Sequence, residues 1–130
     1  MIVDSSAVLA ILLQEPEAGR IAQAIERAAD VRLPASCFLE CSITLLARHR
    51  EEGLRDLELL VSRGRMEFVP LTEKQARVAR EAFRAFGKGR HPAGLNFGDC
   101  MSYAAAIDLG EELLFKGSDF GLTDVAVARY

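Results

Sequence analysis

The length and composition of the chain indicate one ordinary folded domain. The chain has 130 residues, of which 50% are hydrophobic and 27% are charged, and this balance can bury a normal core. Its 16 basic and 19 acidic residues give a net charge of −3, which argues against nucleic-acid binding through overall positive charge. We therefore expect a single domain over residues 1–130.

Apolar runs and cysteines indicate the compartment. The longest purely apolar run, Ala7 to Leu13, is far too short to span a bilayer, and no basic leader-like segment precedes it. We expect a soluble, cytoplasmic protein with no membrane partner. The odd number of cysteines and their apolar neighbours predict reduced, buried core residues rather than a disulfide framework or a zinc site. These are Cys37, Cys41 and Cys100.

The first half of the chain predicts alternating strands and helices. Apolar positions recur at helical spacing after Pro16, and glycines mark the ends of the two later helices. The predicted elements are a strand at Ile2 and Val3, helices over Ala7 to Leu13 and from Glu17 to about Ala29, a strand over Val31 to Leu33, a long helix from Cys37 to near Gly53, and a shorter helix closed by Gly64.

The second half continues this alternation around one irregular segment. Residues 87–94 contain three glycines and a proline among basic side chains, so they predict a mobile basic loop rather than a helix. The predicted elements are a strand over Met66 to Val69, a helix from Thr72 to about Phe86, a helix from Asn96 or Phe97 to Leu109, a strand over Glu112 to Lys116, and an edge strand over Val125 to Ala128. Such alternation is typical of an α/β fold with a parallel sheet flanked by helices on both faces.

One basic strip accompanies the overall acidity. Between residues 77 and 91, five basic residues stand against Glu81 alone, a local charge of +4. Their spacing of three, four and four up to Lys88 places the helical members on one face, which is either simply solvated or attracts phosphates. We expect RNA contacts from the residues nearest the loop. They are Arg84, Lys88, Arg90 and His91.

Four acids lie where a parallel sheet would bring them together. Asp4 directly follows the first strand, and ligands bind at the carboxyl ends of parallel strands. Glu40 leaves the edge of an apolar helix, Asp99 lies in a first helical turn, and Asp119 lies in a glycine-rich turn. Taken one at a time, caps and turns explain these acids. Together they would repel each other unless cations neutralise them. Oxygen ligands alone select Mg²⁺ or Mn²⁺ rather than zinc, and these ions serve phosphodiester hydrolysis.

Four segments carry these acids. They read Ile-Val-Asp-Ser-Ser around Asp4, Phe-Leu-Glu-Cys around Glu40, Leu-Asn-Phe-Gly-Asp-Cys-Met-Ser-Tyr-Ala around Asp99, and Leu-Phe-Lys-Gly-Ser-Asp-Phe around Asp119. The segments resemble the acidic motifs of PIN-domain ribonucleases, specifically the VapC toxins of bacterial toxin–antitoxin pairs. The resemblance covers essentially the whole chain, and its last two motifs are the most specific.

This resemblance implies a PIN-like three-layer α/β fold and a Mg²⁺- or Mn²⁺-dependent endoribonuclease that cleaves RNA with metal-activated water. It implies that Asp4, Glu40, Asp99 and Asp119 form the catalytic, metal-binding quartet, with Asp4 and Asp99 as direct ligands. Ser6 resembles the family's hydroxyl residue beside the first acid, and Asp124 is a candidate accessory acid. The resemblance also implies a homodimer and a cognate VapB-type antitoxin.

Other classes of protein fit the pattern less well. A response-regulator receiver domain needs a phosphoacceptor Asp after a mid-chain strand, and the acids there lie in helical sequence. A haloacid-type phosphatase would have a second Asp where Ser6 stands. Cleavage by a histidine pair would require His49 and His91, which lie on a polar helix end and in the loop. An inactive PIN-like binding module and a housekeeping PIN nuclease both stay open.

Overall fold

The structure, a computed structural model, describes all residues from 1 to 130. Its strands are β1 (Ile2–Val3), β2 (Val31–Pro34), β3 (Met66–Val69) and β4 (Leu113–Leu114). Its helices are α1 (Ser5–Leu12), α2 (Ala18–Arg27), α3 (Ala35–Arg63), α4 (Glu73–Phe86) and α5 (Phe97–Leu109), followed by a short 3-10 helix at Phe120–Leu122. The strands form one parallel sheet in the order β3-β2-β1-β4, with Ile2 paired with Arg32 and Leu113.

The sheet has a hydrophobic core on each face because successive strand residues point to opposite sides. Val3 and Leu114 pack with α1, α2 and α3, whereas Ile2 and Leu113 pack with α4 and α5. The predicted three-layer α/β fold is therefore confirmed. Since β1 and β4 are adjacent and parallel, the segments that follow them emerge at the same edge of the sheet.

Several helix boundaries follow the predicted caps. Thr72 caps α4 by accepting a hydrogen bond from the backbone N–H of Gln75. The reciprocal half of a capping box is absent, because the Gln75 side chain donates to Asp108 instead of the Thr72 backbone. Asn96 and Asp99 form a complete capping box at the start of α5, and Gly110 ends that helix with a φ of 65°. The local signals for these two helices were correct.

The prediction of two successive helices in this region is confirmed, but they meet at Arg50 rather than near Gly53. The helical segment α3 continues to Arg63, and its backbone departs from helical geometry at Arg50, with φ 51° and ψ −143°. Gly53 lies inside the second helical part, where an added Cβ would stand 3.0 Å from the Cβ of His49 and 3.1 Å from that of Leu45. This glycine permits close packing within the bend rather than ending a helix.

The predicted carboxyl-terminal strands are also too long. The strand β4 covers Leu113–Leu114 rather than residues 112–116, and residues 125–128 form only an isolated bridge between Val127 and Leu113. The sheet therefore ends at β4. The first helix begins earlier than expected, at Ser5, because Asp4 caps it. None of the helices combines the length and the hydropathy that crossing a bilayer requires.

Candidate metal centre

Asp4 leaves the carboxyl end of β1 as a buried carboxylate whose two oxygens both accept hydrogen bonds. Its side chain is 2% exposed. The oxygen Oδ2 accepts hydrogen bonds from the backbone N–H of Ser6 at 2.9 Å and from the Ser6 hydroxyl at 2.6 Å. The other oxygen, Oδ1, accepts from the Ser102 hydroxyl at 2.5 Å. All of these donors are neutral, so they orient the carboxylate without neutralising it.

Asp99 lies in the first turn of α5, and its carboxyl group has a raised pKa. Its Oδ2 accepts a hydrogen bond from the backbone N–H of Asn96 at 2.8 Å. Burial raises the pKa of Asp99 to about 6, although this hydrogen bond acts in the opposite direction. The charges of Asp4, Glu40 and Asp119 raise the same pKa further. The other three acids therefore all act electrostatically on Asp99.

Gly98 leaves room for Glu40 beside Asp99. Glu40 projects from α3, and a Cβ added to Gly98 would stand only 2.7 Å from its Oε2. The Glu40 carboxylate thus lies against the first turn of α5. On the other side, Asp119 stands at the start of the 3-10 helix, is exposed, and caps no backbone N–H. The four acids come from four separate segments of the chain.

The donor set of this cluster fits a hard divalent ion. All its ligand atoms are carboxylate oxygens, with no cysteine or histidine among them. No three acidic, histidine or cysteine side chains stand close enough to enclose an ion by themselves. Mg²⁺ needs no such cage, because it keeps several of its waters and usually binds through one or two carboxylates. The residues present therefore fit Mg²⁺ or Mn²⁺.

Comparison with known proteins identifies the family. Residues 1–126 match the PIN domain family model. The chain belongs to the PIN-domain family. It is 50% identical over 126 residues to a protein named Ribonuclease VapC28 from Mycobacterium tuberculosis, covering 96% of this chain and 95% of that one. It is 44% identical over 129 residues to Ribonuclease VapC from Mycolicibacterium smegmatis, covering 99% and 100%.

A solved structure shows the same fold. The crystal structure of VapBC2 from Rickettsia felis, bound to a DNA fragment from its promoter, contains a chain that matches with a TM-score of 0.76. The match covers 97% of this chain and 95% of that chain at 11% sequence identity. The predicted membership in the PIN-domain VapC ribonucleases is confirmed by the family model and the relatives together.

Two expected accessory residues of this PIN domain have different surroundings. The Ser6 hydroxyl donates to Asp4 and accepts from the backbone N–H of Lys116 at 3.0 Å, so it links the ends of β1 and β4. Asp124 instead accepts a hydrogen bond from the Tyr103 hydroxyl at 2.6 Å. It is not among the charges that act on Asp99. Asp124 therefore has a hydrogen-bond partner of its own, and its accessory role stays a prediction.

Sequence reasoning did not select Ser102 or Gly98 as functional residues of this PIN domain. Ser102 donates to Asp4, and Gly98 provides the space that Glu40 occupies. Ser102 follows Asp99 by three residues, a spacing that places both on one side of a helix. That spacing was the available signal for Ser102. No spacing rule could reveal Gly98, because its neighbour belongs to another helix.

The basic strip of the PIN domain divides into paired and unpaired charges. Arg77 pairs with Glu73, and both Arg80 and Arg84 pair with Glu81. These exposed pairs reduce the free charge of the helix, and the RNA contact of Arg84 stays a prediction. The exposed loop residues Lys88 and Arg90 have no acidic partner, and the guanidinium of Arg90 lies 5.8 Å from the centroid of the Phe83 ring.

The loop is not helical, as its composition predicts, and hydrogen bonds hold its backbone in a series of turns. Across its base the backbone N–H of Lys88 donates to the carbonyl of Leu95, and the N–H of Leu95 donates to the carbonyl of Phe86. The N–H groups of Arg90 and His91 both donate to the carbonyl of Gly87 and form turns. The Nδ1 atom of His91 accepts a hydrogen bond from the backbone N–H of Ala93 at 3.1 Å, and its ring stands edge-on to Phe86. His91 therefore has a structural role within the loop.

Proposed function

We propose that this PIN domain is a Mg²⁺- or Mn²⁺-dependent endoribonuclease and the toxin of a type II toxin–antitoxin pair. The observation that carries the proposal is that the fold brings Glu40, Asp4 and Asp119 close enough to act on Asp99, a hydrogen-bonded acid in the first turn of α5. An acid cluster without a basic partner stores repulsion that a divalent ion would relieve. The ribonuclease names of the 50% and 44% identical relatives support the choice of RNA as substrate.

The residues divide the work of such a reaction. A bound divalent ion supplies positive charge to the phosphate oxygens and activates water for hydrolysis. Asp4 and Asp99 would hold the ion, and Glu40 and Asp119 would complete its surroundings. The Ser6 and Ser102 hydroxyls keep Asp4 oriented. Asp99 must release its proton before it can act as a ligand, so binding should become tighter as the pH rises through about 6.

The products of cleavage test this proposal most directly. Hydrolysis by activated water leaves the 2′-hydroxyl of RNA uninvolved, so we expect a 5′-phosphate and a 3′-hydroxyl at the cut. Cleavage should stop in EDTA and return with Mg²⁺ or Mn²⁺, and a 2′-deoxy nucleotide at the cut site should still be cleaved. Mass spectrometry of the fragments measures the ends. A 2′,3′-cyclic phosphate formed in EDTA would contradict the proposal.

The inactive binding module and the housekeeping nuclease give different results in the same experiments. An inactive module would bind RNA and leave it intact in both metals. A housekeeping nuclease would cleave, but its expression alone would not arrest growth. We expect arrest from the parent chain and none from Asp4→Asn. Both outcomes are measured by culture growth after induction in the cytoplasm, where we propose that the reaction takes place.

An exposed apolar groove is a candidate surface for binding other proteins. The side chains of Leu39, Ile43, Phe97 and Met101 line a groove of about 700 Å³ between α3 and the start of α5. Phe97 is 82% exposed. Exposed apolar side chains that cluster beside polar residues mark candidate protein contacts. We propose that the chain forms a homodimer and binds a VapB-type antitoxin, the kind of partner named in the VapBC2 structure. Light scattering of the chain alone and after co-expression with the neighbouring reading frame tests both contacts.

A further inference from the structure

Ser102 connects three parts of the fold at the metal centre. It lies on α5, has no exposed surface, and places its Oγ 2.5 Å from Oδ1 of Asp4. The same Oγ lies 3.0 Å from the Sγ of Cys37, which is a buried residue of α3. A single hydroxyl thus joins the segment after β1 to two helices, and it is shielded from solvent.

The chemistry of the three groups determines which atom donates in each bond. The Ser102 hydroxyl donates its one hydrogen to Oδ1 of Asp4, so that hydrogen is not available to Cys37. The Ser102 oxygen then accepts from the thiol of Cys37. This thiol keeps its hydrogen because burial raises its pKa. The donors therefore run in one direction, from Cys37 to Ser102 to Asp4.

A count of lone pairs shows what this arrangement leaves free. The oxygen Oδ2 of Asp4 accepts two hydrogen bonds, both from Ser6, and its capacity is filled. The oxygen Oδ1 accepts only the bond from Ser102. One acceptor position of Oδ1 therefore remains available to a cation, and the Ser102 bond determines how this oxygen is oriented.

We propose that Ser102, supported by Cys37, is a positioning residue that orients Asp4 so that Oδ1 can bind the divalent ion. This inference rests on the metal dependence proposed above. Partners that orient a metal ligand commonly contribute ten- to a hundredfold to metal affinity. Loss of the Ser102 hydroxyl should therefore weaken ion binding while Asp4 itself is retained.

The test is a Mn²⁺ titration of the full chain, with free Mn²⁺ measured by electron paramagnetic resonance. We expect Ser102→Ala to weaken Mn²⁺ affinity by about tenfold. Ser42→Ala is the matched control, because the Ser42 hydroxyl donates to the carbonyl of Phe38 on α3 and belongs to no site residue. It should bind Mn²⁺ as the parent does. Cys37→Ala should cause a smaller loss than Ser102→Ala, because it leaves the bond to Asp4 in place.

A second variant covers the case in which Ser102→Ala does not fold. Ser102→Cys keeps nearly the same shape but offers a much weaker donor, so it should also weaken Mn²⁺ binding. Melting curves without metal show which variants are folded. If a folded Ser102→Ala or Ser102→Cys bound Mn²⁺ as tightly as the parent, Ser102 would be a packing residue only and the inference would be overturned. If the parent chain itself bound no Mn²⁺, both the proposed metal dependence and this inference would be overturned.

Discussion

The four acids of the candidate metal centre form two pairs with different surroundings. Asp4 and Asp99 accept hydrogen bonds from backbone N–H groups and hydroxyls close to them in the fold. Glu40 and Asp119 are placed in another way, since Glu40 occupies the space above Gly98 and Asp119 extends from an exposed turn. The first pair is oriented before any ion arrives. The second pair can adjust to the ion and to the substrate.

The difference between the pairs shows which acids affect the stability of the folded protein. A buried carboxylate such as Asp4 costs free energy unless hydrogen bonds satisfy it. Three hydrogen-bond donors offset the cost of burying Asp4. The cost of burying Asp99 is offset only in part, as the raised pKa of Asp99 shows. Substitutions in the first pair should therefore alter metal binding and stability together, whereas changes around the second pair should affect catalysis with little effect on folding.

The largest effect is expected from Asp4→Asn. This change keeps the shape of the side chain and removes a charged ligand from the oriented pair, so RNA cleavage should fall by about 10²- to 10³-fold or more. Single-turnover cleavage in saturating Mg²⁺ measures it. Asp124→Asn is the matched control, since Asp124 is bonded to Tyr103 outside the cluster. Equal losses in both variants would show that the two acids do not differ in role.

Asp99→Asn should change the pH dependence of stability. In the metal-free parent, Asp99 has a pKa of about 6 when folded and near 4 when unfolded, so between these values the folded state binds more protons. Raising the pH through this window should therefore lower the free energy of unfolding, by about 1 to 2 kcal/mol once solvent screening of a partly exposed group is allowed for. Asp99→Asn should remove this loss.

Urea unfolding between pH 4 and 7 in EDTA measures this effect as the difference between parent and variant. At pH 7 the metal-free variant should be no less stable than the parent, because it lacks the repelled charge. The rise in melting temperature with Mg²⁺, which linkage gives to any ion that binds only the folded state, should shrink or vanish. An undiminished rise would show that Asp99 serves only the capping box.

Gly98→Ala tests the second pair. The added Cβ would push the Glu40 carboxylate away while leaving the backbone undisturbed, because only the end of a flexible side chain must move. Cleavage should fall about tenfold, with little change in melting temperature. Combining the change with Glu40→Gln should cost little more than Glu40→Gln alone. Gly19→Ala is the control, since nothing lies near the added Cβ. Full additivity would contradict this explanation.

The smallest effect is expected from the basic loop. Lys88→Ala together with Arg90→Ala should weaken RNA binding and leave Mn²⁺ affinity unchanged, because these unpaired charges would contact phosphates rather than the ion. Each lost contact should flatten the slope of log affinity against log salt by roughly 0.7. Asp4→Asn serves as the background that prevents cleavage. Arg77→Ala is the control, since Arg77 is already paired with Glu73. A slope equal to the parent's would make the loop a spacer.

The sequence by itself determined the features that depend on neighbouring residues. Periodicity indicated all four sheet strands and the parallel α/β architecture, and the predicted starts at Thr72 and at Asn96 or Phe97 placed α4 and α5 correctly. The acidic motifs identified the family and selected Asp4, Glu40, Asp99 and Asp119. These signals were sufficient because turns, caps and side-chain periodicity act over only a few residues.

The tertiary structure alone decided the features that depend on distant residues. The bend in α3 lies at Arg50, and residues 125–128 form a single bridge, because packing and available partners override local propensity there. The direction of the bonds from Cys37 through Ser102 to Asp4, and the space above Gly98 for Glu40, each join residues that are far apart in the chain. Their chemistry arises only when the sheet brings four segments to one edge, which no local pattern encodes.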